Sequence, residues 1–151
     1  ISESIEKVNL KDNDYDVITM WDVIEHLNNP KQILMKCYEA LDYGGIIALG
    51  TPNIDSFIAK ILGNNNPYLL RMHLTFYSPK TLKRMLEEVG FTVVRIYPYG
   101  RTFPVYYILD RIRINNKLFK IFKKFINSFP PVSNFQIHLS IRDSFAMIAR
   151  K

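Results

Sequence analysis

A chain of 151 residues that is 48% hydrophobic and 13% aromatic suits one folded domain and excludes general disorder. Its single cysteine, Cys37, excludes an internal disulfide, so the fold needs no oxidising compartment. The net charge of +6 is concentrated: Arg111, Arg113, Lys117, Lys120, Lys123 and Lys124 lie close together with no acidic residue among them, so the basic excess describes that segment and not the fold.

The chain opens at Ile1 inside a charged run, which reads as a cut within a longer polypeptide. No signal peptide is visible, and no apolar run approaches the roughly 18 residues needed to span a bilayer. A cytoplasmic protein is expected. Asp16 to Met20 is a short, mostly apolar run after polar residues and predicts a buried strand. Trp21 to Leu27 then leads from strand to helix. Asn29-Pro30 is a helix start, a capping residue followed by proline at the first helical position. Ile33, Leu34, Cys37, Tyr38 and Leu41 follow at helical spacing, which makes Cys37 a buried, inert thiol. Gly44-Gly45 is expected to end this helix, with Gly44 left-handed. Ile46 to Leu49 reads as a second buried strand, stopped by Gly50-Thr51-Pro52-Asn53.

Ile54 to Leu62 suggests a short helix and Asn64 to Pro67 a loop. Ser78-Pro79 starts a clear helix with Leu82, Met85, Leu86 and Val89 on one face and Gly90 at its end. Thr92 to Tyr97 is rich in β-branched and aromatic residues and predicts a third strand. Tyr106 to Phe129 reads as one or two helices, broken by Pro130-Pro131. Ser144 to Ala149 is a final strand. Strands alternating with helices imply an α/β sheet.

Several runs then fall in a telling order. Tyr15-Asp16-Val17 opens the first strand and Glu25-His26-Leu27 follows it. Leu41-Asp42-Tyr43-Gly44-Gly45 leads into the second strand, which closes on Thr51-Pro52-Asn53. His73-Leu74-Thr75-Phe76-Tyr77-Ser78 precedes Thr81-Leu82, and Gly90-Phe91 leads into the third strand. This series resembles the class I S-adenosylmethionine-dependent methyltransferases over roughly residues 3 to 97 and the last strand. The resemblance implies an α/β, Rossmann-like three-layer sandwich that carries only part of the family's sheet, strands 4-5-7-6 with the last antiparallel. Residues 1–151 would be one truncated domain, with 101–135 a helical, basic-amphipathic insertion.

The same resemblance implies S-adenosylmethionine as cofactor. It places Trp21, Asp22 and Val23 beside the methionine part of that cofactor, and Ser4 and Ile5 on the adenine side. No Gly-x-Gly-x-Gly occurs in the sequence, so the loop that lets backbone N–H groups approach the cofactor is missing. The acidic residue that holds the ribose hydroxyls is missing too. The fragment alone is expected to bind cofactor poorly and to be inactive. Its first strand would present an apolar edge that invites self-association.

Trp21 could instead fill space between helix and sheet, and Asp22 could cap the helix that follows. His26 and His73 are the candidate catalytic residues, because an imidazole titrates near neutrality and can take a proton from an acceptor. Each has a plainer reading as a structural histidine pinning its loop. Glu25 either orients His26 or faces solvent. No Cys, His, Asp or Glu cluster has metal-ligand spacing, so no metal is expected.

From Arg111 to Phe129 phenylalanines and other apolar residues share one helical face while lysines crowd the rest. Such a helix can pack on the sheet, cover an acceptor site as a lid, or lie on an anionic membrane. A nucleic-acid role has no binding motif to support it. Two functions stay open: a methyltransferase acting on a small-molecule, lipid or sugar-type acceptor, or a non-catalytic methyltransferase-like binding module.

Overall fold

The computed structural model describes residues 3–62, 72–111, 117–139 and 143–151, so the Asn64–Pro67 loop and Arg113 lie outside the described residues. The chain divides into two compact units, Ile1–Tyr99 with Arg142–Lys151, and Gly100–Ile141.

The first unit is built on a four-stranded sheet. Its strands are β1 (Tyr15–Trp21), β2 (Leu41–Pro52), β3 (Thr92–Pro98) and, after the second unit, β6 (Ser144–Arg150). They lie in the order β1-β2-β6-β3. β1 and β2 run parallel, with Ile18 opposite Ile47 and Met20 opposite Leu49, and β6 is antiparallel to both of its neighbours. This is the 4-5-7-6 arrangement with one reversed strand that the motifs imply. The parallel pair needs a crossover, which a 3₁₀ turn (Ile24–His26) and helix α1 (Pro30–Ala40) supply.

Local chemistry fixes the helices. Asn29 Oδ1 accepts the Gln32 N–H at the start of α1, and Pro30 occupies its first turn. After a short α2 (Phe57–Leu62), helix α3 (Pro79–Val89) opens on a reciprocal Ser78–Thr81 capping box and closes on left-handed Gly90. Ile33, Leu34 and Cys37 of α1 and Leu82 and Leu86 of α3 bury against Ile47, Leu49, Phe145 and Met147 of the sheet. Cys37 is fully buried, and that burial pushes its thiol up to about 11.

Gly44 does not end α1. The helix stops at Ala40, and Leu41 is already extended. Gly44 is left-handed, at φ 77°, inside β2, where the register jumps from Tyr15–Leu41 to Val17–Ile46. The glycine pair therefore serves a bulge. A Cβ on Gly45 would sit 2.8 Å from the Asp42 carbonyl oxygen, whereas at Gly44 there is open space and only the left-handed backbone disfavours a side chain.

The second unit holds more than the helices expected of it. α4 (Val105–Arg111), α5 (Lys117–Asn127) and α6 (Pro130–Ser133) are framed by an antiparallel ribbon of β4 (Arg101–Pro104) and β5 (Gln136–Leu139). Phe119 and Ile126 of α5 are partly buried, whereas Ile121, Phe122 and Phe125 on the adjoining stripe are exposed. Pro130-Pro131 does not simply break a helix; it begins α6.

Candidate active site

The sheet's main feature lies where β1 ends. Asp22 takes the left-handed conformation, φ 54°, and its N–H donates to the Gly50 carbonyl at 2.9 Å. That turn swings the chain out of β1 and leaves the Trp21 indole 47% exposed at the strand's carboxyl tip. Gly50 beneath it has no room for a side chain: a Cβ there would lie 2.3 Å from Trp21 Cε3. Tyr99 stands edge-on to the indole, with ring centroids 5.7 Å apart, and its hydroxyl donates to Asp22 Oδ1 at 3.4 Å. An aromatic corner with a carboxylate thus sits at the carboxyl end of a parallel strand, where open α/β sheets bind ligands. Val23 is partly buried against the core and occupies the N-cap position of the 3₁₀ turn.

Ser4 and Ile5 lie in a turn near the start of the chain that is tied to the loop before α1. The Ser4 carbonyl accepts the Lys7 and Val8 N–H groups, and Ile5 packs against the core. Glu6 fastens this turn to the loop before α1 by accepting the Asn28 N–H at 3.0 Å and its amide nitrogen at 3.1 Å. Those hydrogen bonds, the backbone one first, hold the Glu6 carboxyl below the usual carboxylate range.

A polar cluster forms one turn further along. Leu74 and Thr75 donate their N–H groups to the Glu25 carbonyl oxygen, at 2.8 and 3.2 Å, and so lay the 72–76 segment over the 3₁₀ turn. This brings His73 beside His26, ring centroids 4.7 Å apart. The Met72 carbonyl lies 2.9 Å from His26 Nδ1. A carbonyl only accepts, so Nδ1 is the donor of this bond and Nε2 is left for another partner. Glu25 neither orients His26 nor faces solvent. It is 2% exposed, and its Oε2 accepts the Thr51 hydroxyl at 3.0 Å. Neighbouring Tyr77 is also buried, and burial pushes its phenol up to about 12, with Thr75 opposing the rise and Glu25 reinforcing it. A separate shallow cavity of about 350 Å³ lies between Asn53, Pro79, Tyr97, Ser144 and Phe145.

The structure therefore joins His26 to His73, sets Trp21 and Asp22 together, and docks Ser4 and Ile5 through Glu6. Sequence reasoning missed Tyr99, Gly50 and Thr51. Gly50 and Thr51 were legible only as the close of a strand, with nothing to show that Thr51 reaches Glu25, and Tyr99 carries no motif.

This sheet order, with its reversed strand and its residues gathered at the carboxyl tip of β1, defines the class: an α/β fold of the S-adenosylmethionine-dependent methyltransferase type. The family profile described as "Methyltransferase domain" matches residues 3–96, and the chain belongs to that family. Among solved structures, a putative methyltransferase from Bacillus halodurans superposes with a TM-score of 0.61 at 21% identity, over 99% of this chain and 75% of that one. A SAM-dependent methyltransferase from Archaeoglobus fulgidus gives 0.57 at 23% identity, over 94% and 62%. A relative from Shewanella halifaxensis named ubiquinone biosynthesis O-methyltransferase is 27% identical over 119 residues, 66% of this chain and 50% of its own length. One from Psychrobacter arcticus with the same name is 31% identical over 87 residues, 52% and 33%. The chain spans about a third to a half of the length of such relatives.

S-adenosylmethionine is the cofactor of this class. The residues present fit one flank of it: a half-exposed aromatic side chain against a glycine that admits no Cβ, and a carboxylate beside it.

Proposed function

We propose that this chain is the acceptor-side part of a methyltransferase whose glycine-rich cofactor loop lies outside these 151 residues. The observation that carries the reading is the open carboxyl tip of β1, with half-exposed Trp21 seated on Gly50 and paired to Tyr99. When bound, S-adenosylmethionine supplies a methyl group on a sulfonium, and the protein's task is chiefly to hold a nucleophile in line with it. In this reading Trp21, Asp22 and Val23 flank the methionine end and Ser4 and Ile5 the adenine. His26 and His73 handle the proton that a hydroxyl acceptor must lose. An oxygen on a small molecule is the favoured acceptor, because the relatives are named O-methyltransferases.

Calorimetry with S-adenosylhomocysteine tests the reading. The full-length protein is expected to bind it, the 151-residue chain to give no measurable heat, and Trp21→Ala to weaken binding about tenfold or more. His26→Gln and His73→Gln should leave that binding intact and lower turnover by about 10²-fold or more. A full-length protein that gives no heat supports the non-catalytic binding module.

Two partners follow from the surface. Among the described residues, no helix is long and apolar enough to cross a membrane. We infer that α5 rests on an anionic membrane surface from the cytoplasmic side. Its inner stripe is taken up by its own unit, but Ile121, Phe122 and Phe125 remain 59%, 51% and 61% exposed, and Lys117, Lys120 and Lys124 flank them. We infer also that the outward edge of β1, which pairs with no described strand but β2, takes up further strands of the same protein or, failing these, a second copy.

A further inference from the structure

We propose that Glu25, His26 and His73 form a binding site for one divalent transition-metal ion of the zinc type. Each residue places one donor atom within 4.8 Å of the other two. Two imidazoles and a carboxylate make a donor set suited to zinc and similar ions. The buried polar atoms carry the case. Glu25 is 2% exposed, its Oε2 is taken by Thr51, and among the described residues its Oε1 has no hydrogen-bond partner. His73 Nδ1 is buried in the same cluster and has none either. A polar atom sealed from water without a partner costs about 1–3 kcal/mol, and here two such atoms belong to residues of different segments that the fold clusters.

The surroundings have the character of a ligand shell. The Met72 carbonyl fixes the His26 tautomer and leaves Nε2 free to donate its lone pair. The Thr51 hydroxyl holds the Glu25 carboxylate. Such outer partners are how metal sites orient their ligands. A tetrahedral ion with bonds of about 2.0–2.2 Å would draw the three donors to about 3.4 Å from one another. That needs a small inward movement of the 72–76 segment, which two backbone hydrogen bonds to Glu25 already tether. His26 and His73 are half-buried, so the ion keeps a position for water or an acceptor oxygen. An ion held here would occupy the lone pairs of both imidazoles and would make a bound hydroxyl more acidic, so that the acceptor proton would pass to water and not to the histidines. The binding itself does not rest on methyl transfer.

The test is a titration of chelator-treated full-length protein with Zn²⁺ alone, read by dye competition and by the histidine ring resonances. One ion per chain is expected, moving the rings of His26 and His73 but not that of His138. Glu25→Gln and His73→Gln should each weaken binding at least tenfold, while His138→Gln leaves it unchanged. No stoichiometric binding, ring shifts confined to His138, or unchanged affinity in both cluster variants would overturn the proposal. Because no methyl donor is present, this outcome is independent of whether S-adenosylhomocysteine binds.

Discussion

At the scale of single residues, the site is governed by what the backbone permits. Trp21 can hold its place against β2 only because Gly50 lacks a Cβ. Gly50→Ala is expected to displace the indole, since the ring is 47% exposed and can yield. The stability cost should be about 1 kcal/mol, with an altered Trp21 emission spectrum and near-ultraviolet dichroism. An unchanged indole signal would show that the glycine is not what positions the ring. Little of this was legible beforehand. His26 and His73 each stood out as histidines in motif-bearing loops, but their meeting depends on Leu74 and Thr75 bonding to the Glu25 carbonyl, which no linear spacing encodes. Glu25 was misread for the same reason: a charged residue beside an exposed loop gives no sign that Thr51 reaches it from the next strand.

At the scale of elements, the chain was far more transparent. Asn29-Pro30, Ser78-Pro79 and Gly90 acted as the capping chemistry requires, because caps are local and depend on a few neighbouring atoms. Gly44 shows the limit of local rules. A left-handed glycine suits a helix end and a bulge equally, and the parallel pairing with β1 decides between them. The amphipathic pattern of α5 was plain, but only the structure separates its packed stripe from its exposed one. Flotation with anionic vesicles at low salt should carry the protein upward, and Phe122→Asp with Phe125→Asp should abolish this without changing the helical dichroism. Failure of the unsubstituted protein to float, or flotation that the two aspartates do not affect, would remove the membrane role.

For the whole molecule, strand order came from the series of motifs and not from periodicity, which is silent on which strand neighbours which. The β4–β5 ribbon escaped notice because its strands are four residues each and separated by three helices, so neither alternation nor a short turn announces them. The sheet order β1-β2-β6-β3 leaves β1 at one side, with Val17 56% exposed. If β1 is the fourth strand of a longer sheet, its outward backbone groups are paired in the intact protein. Amide hydrogen exchange along Asp16–Met20 in the full-length protein measures this directly. The account predicts slow exchange at every amide in the run, those facing away from β2 as well as those bonded to it. Exchange at the rate of free peptide on every second amide would mean that nothing pairs with that edge, and the split-sheet account would be wrong.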